Sequence, residues 1–231
     1  MGELLEGVRE AWRLISGADS SVREIAARTV LVSGAATALS VFVGIPIGYA
    51  IARTAFRGRT LLLGFVNTGM GMPPVVVGLI VWLLLVRSGP FGDLDLIYTR
   101  RAMVLAQFLI ATPIIVGFTV ASLQALPPRL PDLLEVLGAG RIRTIWLLAR
   151  EARLGLLVAV MAGFGGIISE VGASMTVGGN LERSTRVLTT AIVTETSRGE
   201  VERALALGIL LMTLSLAVNL TLTIVQQRRR S

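Results

Sequence analysis

Charge is missing from five long stretches of this chain, and no other feature limits its fold so tightly. Arg28 to Arg53, Arg59 to Arg87, Arg101 to Arg129 and Arg203 to Arg228 bracket uncharged runs of about 24 to 27 residues. Roughly 20 apolar residues cross the hydrocarbon core of a bilayer as a helix. A fifth run extends from Leu154 to about Gly179 and is broken only by Glu170. Backbone polar groups in lipid must be satisfied within their own segment, so the runs read as helices. The fold class expected is an all-α polytopic membrane protein with about five transmembrane helices.

The remaining composition excludes several functions. There is no histidine or cysteine, and all 22 basic residues are arginine. Thiol chemistry, His/Cys metal sites and Schiff bases are therefore absent, as is a phosphate loop of the type that needs a lysine. No cofactor is expected in this chain, and nucleotide, if it drives the protein, must be bound by another one. The net charge of +7 comes from arginines that flank the spans, so nucleic acid is not an expected partner. The final Gln226-Gln-Arg-Arg-Arg230 reads as a cytoplasmic anchor beside membrane lipid.

Residues 1–28 carry both signs of charge, with Leu4, Leu5, Val8, Trp12 and Ile15 on one helical face, and read as an N-terminal interfacial helix. The first span, Thr29 to Ala52, holds Ser33, Gly34, Thr37 and Ser40, then Gly44-Ile-Pro-Ile-Gly48, which reads as a close-packing face and a kink. The second, Thr60 to Val86, is longer than a bilayer needs and contains Asn67-Thr-Gly-Met-Gly-Met-Pro-Pro74. Two prolines remove backbone donors, so a break is expected. Asn67 and Thr68 become candidate pathway residues, with a simple kink as the competing reading.

Span three covers Ala102 to about Gln124 and span four Leu154 to about Gly179. Around Glu170 in span four stand Ser174, Thr176 and Asn180, also candidate pathway residues. A carboxylate at mid-span costs roughly 2.5 to 3.5 kcal/mol. It should therefore face water or protein, and it either lines a pathway or fixes packing by bonding to a neighbouring backbone. Residues 181–203 hold only a short apolar run, Val187 to Val193, which suits a helix lying at one face or dipping in. Span five is Ala204 to about Val225. Counting arginines divides them evenly between the two sides and leaves orientation open.

The stretch from Leu126 to Leu154 is neither a turn nor a span. Leu130, Leu133, Leu134 and Leu137 recur at helical spacing after Pro131, with Asp132 and Glu135 near the start. Gly138-Ala139-Gly140 interrupts, and Ile142, Ile145, Trp146 and Ala149 form a second stripe among Arg141, Arg143, Arg150 and Arg153. Such faces dock either in a groove of another subunit or on lipid.

This arrangement resembles the membrane-spanning permease subunits of ABC importers with the type I fold. In that family the cytoplasmic loop before the penultimate core span carries Glu-Ala-Ala, three residues, Gly, nine residues, then Ile-x-Leu-Pro. With the glycine on Gly138, the first three positions fall on Asp132, Leu133 and Leu134, and the last on Leu148, Arg150 and Glu151. Gly138 matches, Asp132 is a conservative change, and the closing Leu-Pro is absent. Gly44-Ile-Pro-Ile-Gly-Tyr-Ala-Ile-Ala-Arg53 resembles the end of the family's early span. Glu170-Val-Gly-Ala-Ser-Met-Thr-Val-Gly-Gly-Asn180, followed by Thr185-Arg-Val-Leu-Thr-Thr190, is similar to a region of oxyanion permeases, nearest the tungstate and molybdate type.

The resemblance implies a permease domain over residues 29–227 with a coupling loop at 126–153. Asp132, Leu133, Leu134, Glu135, Leu137, Gly138, Ala139 and Arg141 would couple to the ATPase. It further implies a homodimer with a second permease copy, two cytoplasmic ATP-binding subunits that hold ATP and Mg, and an extracytoplasmic oxyanion-binding protein. The chain would be a multi-pass protein of the cell membrane with coupling loop and C-terminus in the cytoplasm, and no enzyme itself. The alternative is an ion-coupled secondary transporter acting without an ATPase. Internal repeats and paired intramembrane ionisable groups, expected of that class, are not seen.

Overall fold

A computed structural model describes residues 20–228, and within them every regular element is helical. In chain order these are α1 (Ser20–Arg53), α2 (Arg59–Met70), α3 (Pro74–Leu85), a 3-10 turn (Gly92–Leu94), α4 (Arg100–Gln124), α5 (Leu130–Val136), α6 (Arg141–Glu151), α7 (Arg153–Ile168), α8 (Gly172–Gly178), α9 (Leu188–Ser197) and α10 (Val201–Arg228). Three are long and apolar enough to cross a membrane alone: α1, α4 and α10. Two more crossings arise if the pairs α2–α3 and α6–α7, bent by 101° and 69°, each count as one. The chain is an all-α, multi-pass membrane protein with up to five spans.

The helix α1 is 34 residues long and starts well before Thr29. Of the interfacial helix expected over 1–28, residues 1–19 lie outside the described residues, and 20–28 are the opening turns of α1. Nothing between Ile25 and Thr29 stops a helix, and Thr29 donates its hydroxyl to the Ile25 carbonyl at 2.8 Å. Arg28 is no boundary charge either, because it is buried and donates to the Arg186 carbonyl at 2.7 Å. Pro46 is accommodated inside α1 without ending it.

Glycines set the packing. A Cβ on Gly44 would stand 3.0 Å from Ile115 Cγ2, and one on Gly48 would stand 2.7 Å from Thr119 Cβ. The contacts rise together along both helices, 44 with 115 and 48 with 119, so α1 and α4 run in the same direction. Without side chains at 44 and 48 the two backbones can approach closely, the use small residues serve between membrane helices. In α7, Gly163 faces Ile115 and Gly155 faces Ser122, so α7 runs opposite to α4. Val22 of α1 clusters with Leu207 of α10, and Val30 to Phe42 of α1 share a groove with Val218 and Leu222, so α10 runs with α1.

The expected break in span two is present. Gly71 and Met72 end α2, and Pro74 opens α3. The fourth span differs from expectation. The sequence predicts one run to about Gly179, but α7 ends at Ile168 and a separate short helix, α8, begins at Gly172. The cause is local. Ser169 donates back to the Gly165 carbonyl at 3.1 Å, and Glu170 turns its carboxylate onto the next helix, so both compete with the helical ladder. After the break α8 packs on α3, with Gly78 beside Ala173 and Gly172 beside Val75.

The short run at Val187 to Val193 caps and opens α9, which dips into the bundle. Leu188, Thr189, Thr190 and Ala191 are buried, and Thr29 of α1 accepts from the Leu188 amide at 2.9 Å.

Candidate functional site

The segment between α4 and α7 has two faces where the leucine spacing implied one. Leu130 and Leu134 of α5 pack against a buried cluster of Leu123, Leu148 and Ala152, with Tyr49, Leu126 and Leu156 at its edge. Leu133 and Leu137 point away from that cluster and are 56% and 73% exposed. Val136, which the spacing did not single out, joins them at 85%. It sits three residues after Leu133, which was signal enough to find it. On α6, Leu148 is buried in the cluster, while Ile142 and Trp146 are 85% and 57% exposed. The guanidinium of Arg150 lies 5.3 Å from the centroid of the Trp146 ring.

The link between α5 and α6 is shaped by Gly138. Its φ is +78°, in the left-handed region that costs an L side chain roughly 1 to 2 kcal/mol. The Gly138 amide donates to the Glu135 carbonyl at 2.9 Å and the Ala139 amide to the Leu134 carbonyl at 2.9 Å. This pair of bonds is the Schellman arrangement, which satisfies carbonyls that a helix end leaves open. Asp132 sits in the first turn of α5, where the helix dipole favours it. Glu135, Ala139 and Arg141 complete the turn region, with Glu135 and Arg141 exposed and Ala139 half-buried.

The candidate pathway residues fall into two groups. Asn67 and Thr68 lie exposed at the end of α2, and Thr68 donates its hydroxyl back to the Gly64 carbonyl at 2.9 Å. The other four surround α8. Glu170 is buried, and its Oε1 accepts from the Ala173 amide at 3.0 Å. Ser174, also buried, accepts from Gln107 Nε2 of α4 at 3.3 Å. Thr176 donates back to the Gly172 carbonyl at 2.8 Å, and Asn180 donates to Thr194 Oγ1 at 2.7 Å.

The groups lie at different depths. Gly69, beside Asn67 and Thr68, meets Pro113 of α4, whereas Gly178 meets Met103. Ten residues of helix separate those levels by about 15 Å. Within one chain the structure does not bring the groups together. Gln107 belongs with the second, because its Nε2 bonds Ser174, and its Oε1 is buried with no partner among the described residues. As an amide in an otherwise apolar stretch of α4 it could have been singled out. Among the described residues no group of three or more His, Cys, Asp or Glu is placed to hold a metal ion.

Known proteins are similar to this sequence. The family profile described as binding-protein-dependent transport system inner membrane component matches residues 44–231. A probable anion ABC transporter permease protein of Haloferax volcanii is 42% identical over 84% of this chain and 86% of its own length. The tungstate uptake system permease protein TupB of Peptoclostridium acidaminophilum is 37% identical over 98% of this chain and all of its own. The molybdenum transport system permease protein ModB of Escherichia coli K12 is 27% identical over 87% of this chain. A matched segment that runs from the Gly44–Gly48 packing face through the α5–α6 segment to the last helix leaves one assignment: the chain belongs to the binding-protein-dependent transport system inner membrane components, the permease subunits of ABC importers.

Proposed function

We propose that this chain carries a tetrahedral oxyanion, tungstate or molybdate, across the cell membrane as one half of a permease homodimer. Two cytoplasmic ATP-binding subunits drive it, and an extracytoplasmic binding protein delivers the anion. Relatives named for tungstate and molybdenum transport support the cargo. ATP and Mg belong to the partner ATPase, and this chain performs no covalent chemistry.

One observation carries the mechanical part of the reading: α5 is apolar on both sides, and only one side is covered by the described residues. Leu130 and Leu134 fasten it to the ends of α1, α4 and α6, while Leu133, Val136 and Leu137 stay exposed. A helix of seven residues fixed on one face and open on the other transmits a push from whatever covers it to the helices beneath. Covering such side chains stabilises a docked partner by about 1.5 to 3 kcal/mol each. That partner is the ATPase, which places α5, α6 and the C-terminal end of α10 in the cytoplasm. Closure of the two ATPases around nucleotide then swings the paired permeases between inward-open and outward-open states by rigid-body motion.

Asp132, Leu133, Leu134, Glu135, Leu137, Gly138, Ala139 and Arg141 form the coupling element on this reading. The two groups of pathway residues, Asn67 and Thr68 at one depth and Glu170, Ser174, Thr176 and Asn180 at another, mark successive levels of one route between the paired chains. The test is uptake of tungstate into proteoliposomes holding the chain, its ATPase and its binding protein. Uptake should require ATP inside the ATPase-facing compartment. Uptake driven by an ion gradient with the ATPase left out would refute the reading.

A further inference from the structure

At the end of the bundle opposite α5 and α6, five arginines line one cavity of about 160 Å³: Arg28 of α1, Arg183 and Arg186 of the loop after α8, Arg198 after α9, and Arg203 in the first turn of α10. They come from four parts of the sequence, and no single motif joins them. Three glutamates, Glu24, Glu182 and Glu195, also reach the cavity. Each is held by an arginine of its own neighbourhood, at 3.5 Å for Arg28, 3.4 Å for Arg186 and 3.6 Å for Arg198. Arg183 and Arg203 form no ion pair among the described residues. The wall therefore keeps an excess of positive charge.

Two of these arginines are recessed. The Arg28 side chain is 4% exposed and that of Arg186 is 11% exposed. Arg28 is tied down by its bond to the Arg186 carbonyl. Arg186 keeps a buried Nε–H without a partner among the described residues. A buried guanidinium donor left open in a positively charged cavity suits a small oxygen-bearing anion, because the guanidinium fork matches two oxygens of one group. A flat acidic protein surface would reach only the exposed rim of Arg183, Arg198 and Arg203.

We propose that this cavity is a binding site for a tetrahedral oxyanion at the end of the permease away from the ATPase. There it would hold the ion between release by the delivery protein and passage between the paired chains. The inference rests on the oxyanion reading above and adds a place where this chain itself recognises the cargo. Arg186 contacts the anion from the floor, and Arg203 and Arg183 supply field at the rim.

The experiment is calorimetric titration of sodium tungstate into the permease–ATPase complex in phosphatidylcholine nanodiscs, with no binding protein present. Wild type should bind, Arg186→Gln should weaken binding roughly tenfold or more, and exposed Arg203→Gln should weaken it a few-fold with a shallower salt dependence. Equal binding by wild type and both variants overturns the proposal, as does no binding by wild type. Phosphatidylglycerol that stays on the purified complex through these arginines, with tungstate excluded, also overturns it and makes the cavity a lipid headgroup site. Variants that bind tungstate normally but lose affinity for the delivery protein would make it a docking surface. ATP-driven tungstate uptake without arginine-dependent binding rejects the site and keeps the transport reading. Arginine-dependent binding without uptake does the reverse.

Discussion

Glu170 accepts a 3.0 Å hydrogen bond at Oε1 from the backbone amide of Ala173 and so closes the first turn of α8. Its own carbonyl accepts from the Thr189 hydroxyl of α9 at 3.1 Å. Glu170 thus joins three elements, and its carboxylate stands at a helix N-terminus, where the amides favour negative charge. A cap needs an oxygen acceptor and not a charge. Glu170→Gln keeps the acceptor and should leave uptake of tungstate within about twofold of wild type, while Glu170→Ala should cost about 1 to 2 kcal/mol of stability. Uptake and thermal unfolding of the reconstituted complex measure the two. Normal folding with abolished uptake in the glutamine variant would assign the charge to transport.

The α1–α4 contact predicts opposite outcomes for two glycines of one helix. A Cβ at Gly48 would lie 2.7 Å from Thr119 Cβ and 3.0 Å from the Val116 carbonyl, whereas one at Gly34 would meet nothing within 4 Å. Gly48→Ala should force the helices apart and destabilise the chain by about 1 to 3 kcal/mol. Gly34→Ala should be neutral or gain up to about 1 kcal/mol by restricting the unfolded chain. Unfolding in detergent compared side by side checks the pair. Equal effects at both positions would show that the close approach at Gly48 does not limit packing.

Much of this architecture could be read from the residues, for reasons that are physical. Spans are announced by composition, since lipid tolerates little charge, and the Pro73-Pro74 break by the loss of backbone donors. The end of α7 was hidden because Ser169 and Glu170 stop it through side-chain bonds to backbone groups, which hydropathy does not register. Burial of Arg28 inside α1 was hidden for a related reason: its partner is the Arg186 carbonyl, far away in sequence. In the α5–α6 segment spacing found the leucines, but period alone cannot say how many faces of a short helix are covered. The arginine cavity was illegible because its walls meet only in the folded chain.

Gly138 should tolerate substitution in proportion to the left-handed preference of the new residue. No neighbour lies within 4 Å of a Cβ there, so conformation and not space decides. Asn visits this region readily and should retain coupling, while Val should cost about 1 to 2 kcal/mol and loosen the α5–α6 turn. Pro cannot adopt the φ and removes the amide that bonds the Glu135 carbonyl, so Gly138→Pro should abolish substrate-stimulated ATPase. ATPase rates of the assembled complex rank the variants. Full coupling in the proline variant would remove the turn from the mechanism.

The two faces of α5 predict that neighbouring leucines fail in different ways. Leu133 and Leu137 are mostly exposed and are not members of the buried cluster, so Leu133→Glu or Leu137→Glu should leave insertion and thermal stability of the isolated chain unchanged. Each removes about 1.5 to 3 kcal/mol of docking burial and adds a charge, enough to weaken ATPase association roughly tenfold or more. Leu130 and Leu134 instead pack on Leu123 and Leu148. Leu134→Ala should therefore lower the stability of the chain itself by about 1 to 3 kcal/mol. Because the anchored face also carries the push into the membrane helices, this variant should keep its affinity for the ATPase while losing stimulation by substrate. Co-purification of the ATPase separates docking from transmission, and ATPase stimulation reads the second alone. Were Leu133→Glu to unfold the chain, or Leu134→Ala to release the ATPase, the assignment of faces would be reversed and α5 would dock through its Leu130 and Leu134 side.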